Sequence, residues 1–237
     1  MTPALELSGV IKDYRGLRPL RIDRLSVAPG DQLAILGVDQ ASAEVLINLM
    51  TGTSLPDRGD VRVFGQPTSS LRNSDEWITF VDRFGIVSER AVLLDALSVV
   101  QNLAIPFSLD VEPLSDNLRQ RVTALAREVG LASTVWDRPI GNLDAASRVR
   151  VRLGRALALG PAVVLLEHPT VGVPRDEIAA LGRAVRTVVA RRGAAALTLT
   201  ADREFAGEAA DRTLTLDPAT GRLAGPRTGW LARLRKG

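Results

Sequence analysis

The chain has 237 residues, 46% of them hydrophobic and 24% charged, with a formal charge of +3 and no cysteine. That length suits one large domain or two small ones with a substantial core, and the balance is that of a soluble globular protein. The missing thiols exclude disulfides, thiolate metal sites and cysteine nucleophiles.

The opening MTPALELSG has neither the basic nor the apolar region of a secretion signal, which predicts a cytosolic protein. Residues 5–10 and 20–27 alternate polar and apolar positions as antiparallel strands do. Pro29-Gly30-Asp31 punctuates a turn, and residues 33–36 form an apolar strand that runs into Gly37. A short polar loop follows, then a helix with Val45, Leu46, Leu49 and Met50 on its apolar side. Residues 60–64 are predicted as a strand after the turn at 56–59, and 85–88 as a short buried one. Residues 91–107 are predicted mostly helical, 115–129 as an amphipathic helix, and 148–159 as a helix stopped by Gly160-Pro161. The unbroken apolar run 163–166 is that of a central parallel strand covered on both faces. A long helix over 175–192 stops at Gly193, and 195–200 is the next buried strand. Residues 214–216 and 222–223 make a closing hairpin around the turn at 217–221. Strands alternating with helices predict an α/β layered fold. The longest apolar stretch, 156–166, is broken by Gly160 and Pro161 and falls short of the roughly 20 residues of a membrane span.

Residues 33–52, LAILGVDQASAEVLINLMTG, have the strand–loop–helix outline of a phosphate-binding loop without the residues that hold phosphate. In the pattern G-x-x-x-x-G-K-[ST] the lysine reaches the β/γ-phosphates and the hydroxyl reaches Mg²⁺. Counted from Gly37, the second glycine position holds Ser42, the lysine position Ala43 and the hydroxyl position Glu44. Like charges about 4 Å apart repel by about 4 kcal/mol at an effective dielectric near 20, so Glu44 and the nearby Asp39 repel a triphosphate. The same residues make good chemistry for a plain helix start, with a capping side chain and an acidic first turn.

Several further segments fall in the order and spacing of one family. They are NLMTGTSLPDRGDVRVFGQP (48–67), FGIVSERAVLLDALSVVQNLAIP (84–106), LDAASRVRVRLGRALALGPAVVLLEHPTVGV (143–173) and LTLTADREFA (197–206). Over roughly residues 4–224 the chain resembles the ATP-binding subunit of ABC transporters, as a degenerate member. The LL…N-L-A-I-P pattern leans towards the lipoprotein-release and macrolide-export branch.

The resemblance implies a P-loop NTPase-like ABC ATPase fold with a mixed or parallel core sheet, an antiparallel β subdomain and a helical subdomain at about 89–160. It implies ATP and Mg²⁺ as cofactors, and as partners a membrane permease and a second ATP-binding subunit, in a homodimer or heterodimer. It places the chain in the cytoplasm, peripherally on the membrane. The nucleotide-contacting positions it implies are Tyr14, as the adenine-stacking aromatic, then Gly37, Asp39, Gln40, Ala41, Ser42, Ala43, Glu44 and Val45, with Glu89 (or Ser88) at the Q-loop glutamine.

Departures from the family pattern run along the whole chain. Where the signature reads L-S-G-G-Q, this chain has Leu143, Asp144, Ala145, Ala146 and Ser147. Glu167 stands at the Walker B aspartate, from where it can still reach a metal through water, and His168 at the catalytic glutamate. His168 is either an unusual base or a strand-end residue hydrogen-bonded into the emptied site. The switch histidine is replaced by Ala201 and the D-loop aspartate by Pro174.

The leading expectation is a permease-bound subunit, docked near residues 89–106, with impaired ATP binding and hydrolysis. A non-hydrolytic scaffold that reuses the fold for protein contacts is the alternative, and a residual ATPase using Glu167 and His168 is a third reading. Nucleic acid is not expected as a partner, because basic residues alternate with acidic ones and lack stacking aromatics. The basic tail 225–237 places Trp230, Leu231 and Leu234 opposite Arg233, Arg235 and Lys236. It reads as a solvated tail or as a contact with anionic lipid or a permease loop.

Overall fold

Three strands, β3 (Gln32–Leu36), β7 (Val163–Glu167) and β8 (Ala195–Leu199), are buried at every position. A strand apolar on both faces is stable only with cover on both sides, and these three lie together in the middle of a six-stranded sheet. β6 (Phe84–Val87) pairs in parallel with β7 at one edge. At the other edge β9 (Arg212–Leu216) pairs in parallel with β3, and β10 (Leu223–Ala224) closes it antiparallel as the predicted hairpin. The order is β10-β9-β3-β8-β7-β6. The computed structural model describes residues 1–225, so the tail expectations on 226–237 lie outside the described residues.

A second, antiparallel sheet has the order β2-β1-β4-β5, from β1 (Leu5–Lys12), β2 (Leu20–Val27), β4 (Arg58–Val63) and β5 (Gln66–Pro67). Its inner residues pack with α1 (Gln40–Met50) and one face of the central sheet in a core that includes Leu7, Ile22, Leu46, Val163 and Leu165. The opposite face carries Val164 and Leu166 into a second core built with α3 (Val99–Ala104), α4 (Asp116–Glu128), α5 (Ala145–Leu157) and α6 (Arg175–Arg191). Successive β7 side chains point to opposite faces, so one strand serves both cores. α5 lies against β6 at Gly85, where a Cβ would stand 2.4 Å from the Ala156 carbonyl oxygen.

Two predicted helices have different bounds. Only Val99–Ala104 of the 91–107 segment is helical, because the Ser98–Gln101 capping box starts the helix late. Ahead of it the Asn102 amide takes over the backbone: it accepts from Leu94 N at 2.9 Å and donates to the carbonyls of Leu94, Leu97 and Ser98. The helix expected to begin at Arg148 begins three residues earlier, since Asp144 caps it by accepting from Ser147 N at 2.6 Å. Two short helices escape the sequence pattern. α2 (Ser74–Val81) is capped by Asn73, and α7 (Arg203–Ala209) by Asp202.

Candidate functional site

At the end of β3 the chain turns through Gly37, whose φ of 82° suits glycine and whose missing Cβ leaves room for the Leu216 carbonyl. Asp39 then caps α1. Its Oδ1 accepts from Ser42 N at 2.7 Å, and its carbonyl accepts from Ala43 N at 2.9 Å. These hydrogen bonds, from the Ser42 backbone and then its side chain, hold the Asp39 carboxyl below the usual carboxylate range. The loop is therefore the first turn of a helix, as its capping chemistry predicts, and the amides of Ser42 and Ala43 are already satisfied. Ala41 is exposed, whereas Ala43 is fully buried in the core with Leu46 and Met50. Val45 packs against that core in part. Tyr14 is half-buried, its hydroxyl 3.0 Å from Ser42 Oγ, beside a cleft of about 350 Å³ also lined by Gly16, Arg18, Gly37 and Pro218.

The centre of the site is a cation that the sequence reading missed. The Glu167 side chain, at the end of β7, is wholly buried. A buried carboxylate is tolerated only when paired and hydrogen-bonded, and this one is. Gln40 Nε2 donates to its Oε1 at 2.6 Å, while Arg90 Nε and Nη2 donate to its Oε2 at 3.1 and 2.8 Å. The third guanidinium nitrogen of Arg90, Nη1, lies 3.1 Å from Glu44 Oε1. Glu44 is thus not the uncompensated repelling charge expected from its position, because a guanidinium of the same chain pairs with it. The signal available in the sequence was a carboxylate closing an apolar strand, which demands a partner, although nothing local says which.

Ser88 and Glu89, the two candidates for the Q-loop position, do not reach Glu167. Ser88 is buried and its Oγ accepts from Arg90 N at 3.1 Å. Glu89 is exposed and stands 4.0 Å from Arg152 Nη1. His168 donates its backbone N–H to the Leu199 carbonyl at 2.8 Å and sits at a φ of 41°. Its Nε2 is buried without a hydrogen-bond partner among the described residues. That atom therefore gives no support to a histidine hydrogen-bonded into an emptied site, and Gln40 and Arg90 already bond the two oxygens of Glu167. Ala201 is exposed, and Pro174 is the residue before α6.

The 143–147 segment is built separately, at the start of α5. Leu143 and Ala146 are buried, and Ala145 is the first residue of the helix. Burial pushes the Asp144 carboxyl up, but hydrogen bonds from the Ser147 backbone and hydroxyl bring it below the usual range. Ser147 Oγ donates to Asp144 Oδ2 at 2.9 Å, so the two polar side chains of this segment satisfy each other. Among the described residues no cluster of three or more His, Asp or Glu is placed to hold a metal ion.

The family model described as ABC transporter matches residues 20–171. The lipoprotein-releasing system ATP-binding protein LolD of Maricaulis maris is 34% identical over 217 residues, 89% of this chain and 93% of its own. The nickel import ATP-binding protein NikO of Rhodobacter capsulatus is 31% identical, over 98% of this chain and 93% of its own. The methionine import ATP-binding protein MetN of Brucella abortus is 28% identical over 91% of this chain, which spans 58% of that longer relative. The structure of cbiO1 from Clostridium perfringens, part of the ABC transporter complex cbiONQ, superposes with a TM-score of 0.80 at 20% identity, covering 100% of this chain and 94% of the other. The ATP-binding cassette MJ0796, a dimer in a post-hydrolysis state bound to ADP and Pi, superposes with a TM-score of 0.75 at 19% identity, covering 94% and 99%. These superpositions show that the fold is that of an ABC cassette.

Proposed function

The chain belongs to the ABC transporter family, and we propose that it serves there as a cassette-like subunit that couples to a membrane permease with ATP binding and hydrolysis impaired. One observation carries the proposal: Arg90 occupies both Glu167 and Glu44, the carboxylates at the two metal-side positions of the family pattern. The residues present do not fit Mg-ATP. No lysine stands at position 43, the amides of Ser42 and Ala43 are spent on Asp39, and the Glu167 oxygens are spent on Gln40 and Arg90.

The family resemblance joins the phosphate loop of one subunit to the signature loop of another. A homodimer of this chain would carry both defects at each composite site. Paired with an intact subunit, it would offer Asp144 to a good phosphate loop at one site, and Ala43 to a good signature at the other. Turnover would then come from the partner's loop, with this chain as its cover.

Permease docking is assigned to the helical part, at about 89–160. A groove of about 320 Å³ there is lined by Ile86, Ala91, Pro106, Arg152 and Arg155, and the apolar side chains of Val92, Leu94 and Leu159 are exposed. Exposed apolar groups in one area mark interaction surfaces. Among the described residues no helix is long and apolar enough to cross a membrane. A lipoprotein-release type of system is the reading supported by both segment 84–106 and the Maricaulis maris relative.

The same spent amides favour a second reading, a non-hydrolytic scaffold that keeps the fold for protein contacts. Calorimetric titration of the purified chain with Mg-ATP tests the impairment, and the expected result is no saturable heat at millimolar nucleotide. Tight binding with turnover would overturn the proposal. Co-purification of this chain with a multi-span membrane protein encoded beside it separates transporter subunit from free scaffold.

A further inference from the structure

Residues 88–94 join the Glu167 network to the proposed docking groove, and they are tied at both ends. On the inner side Arg90 is held by every nitrogen of its guanidinium, Nε and Nη2 on Glu167 and Nη1 on Glu44. On the outer side Arg155 Nη1 donates to the Val92 carbonyl at 2.7 Å, and Asn102 grips Leu94 at both its amide and its carbonyl. Leu93 is buried between these ties, while Val92 and Leu94 are 67% and 46% exposed. The segment thus presents two apolar side chains outward while its residues are fixed to four elements, α1, α3, α5 and β7.

We infer that Arg90 is an internal cation that latches segment 88–94 in one conformation, so that this surface keeps its shape whether or not a nucleotide is present. The inference rests on the reading that Mg-ATP does not fit this site. Its physical basis is the asymmetry of buried charge. Moving residues 88–94 outward would carry Arg90 away and leave Glu167, with no exposed side-chain surface, holding a full charge against one amide donor. Breaking such a pair from one side is far costlier than either partner's share of the attraction. A metal or a nucleotide would move such a segment only by competing for its ligands, and both carboxylates are already taken by a covalently attached competitor whose local concentration cannot be diluted away. The latch also makes the shape of the docking surface depend on Gln40 and Glu167, neither of which lines the groove.

Amide hydrogen exchange of the full chain reads this directly, because the amides of Arg90, Ala91 and Leu94 have acceptors within the latched arrangement, on Ser88 Oγ, Ser88 O and Asn102 Oδ1. In the unmodified protein their protection should be the same with and without millimolar Mg-ATP. Arg90→Ala should speed their exchange by at least about tenfold, since charge-assisted hydrogen bonds are lost from the closed state, while amides of β8 stay protected. Arg90→Lys, which keeps the charge and loses the fork, should fall between, and it serves if Arg90→Ala does not fold. Glu44→Gln, which removes only the outer arm, should stay near the unmodified protein. Unchanged exchange in both Arg90 variants would overturn the latch, as would a nucleotide-dependent change at these amides in the unmodified chain. Saturable Mg-ATP heat with constant protection at 88–94 would instead sink the impaired-binding reading and leave the latch standing.

Discussion

Arg90 and Glu167 are 77 positions apart in the chain, yet Nε and Nη2 of the one both donate to Oε2 of the other, at 3.1 and 2.8 Å. The carboxylate is buried and the guanidinium is 39% exposed along its side chain, so the pair stands at the edge of the interior. Removing Arg90 should therefore cost about 3 kcal/mol, the low end for breaking a buried pair, because water can partly reach the site. Urea denaturation of Arg90→Ala checks this, and the added change Glu167→Gln should recover most of the loss by removing the orphaned charge. A double variant no more stable than Arg90→Ala would count against the pairing.

Asp39→Ala removes the cap of α1 and should cost about 1 kcal/mol at neutral pH. The folded Asp39 carboxyl lies below its ordinary value of 3.8 because Ser42 donates to it. Its contribution is therefore complete above that ordinary value and is lost as the pH falls through the lower folded one. Stability curves of the unmodified chain and Asp39→Ala should run parallel near pH 7 and converge in acid below about pH 4. Asp39→Asn, a good cap without the charge, should flatten that acid-side slope.

Ala43→Lys writes the missing lysine back into the loop. Position 43 is fully buried, however, within the core that holds Leu46 and Met50. Overpacking and an unpaired buried charge should together cost more than about 2 kcal/mol, and Mg-ATP binding should not appear. Calorimetry and a thermal melt on the same sample decide the matter. A stable variant that gains nucleotide affinity would show that the loop is open rather than helical.

Gly85→Ala tests the contact between the sheet edge and α5. The new methyl would meet the Ala156 carbonyl oxygen at 2.4 Å, a backbone atom that has no rotamer to escape into. A loss of about 1–3 kcal/mol is expected. Because Gly85 and Ala156 both line the docking groove, Arg155 should move with its helix and amide exchange at residues 92–94 should rise together with the instability.

The central sheet was legible because its strands carry their signal locally. Leu33, Val163 and Leu197 lie in short apolar runs bounded by turns, and such runs need no partner to be recognised. The helix starts were half legible. Asp39 and Asp144 are good caps by type, yet the predicted start at Arg148 lies past the cap of α5. The turn at 91–98 was hidden because a side-chain amide, Asn102, takes the place of helical hydrogen bonds, and helix propensity cannot see such a substitution. α2 and α7, at eight and seven residues, are too short for a helical period to declare itself. The site positions could be placed by spacing, whereas Arg90 could not be placed at all. Its role depends on meeting Glu167 and Glu44 across long stretches of chain, and pairing at that range is decided by the fold.

β7 belongs to both cores, with Val163 and Leu165 on one side and Val164 and Leu166 on the other. The antiparallel half and the helical half consequently share a wall rather than a hinge. Neither can melt while the other stays intact without stripping one face of β7 bare to water. Loosening by heat or urea should be all-or-none across the described residues, with a probe at Trp77 beside the first core and one at Trp136 beside the second reporting the same midpoint.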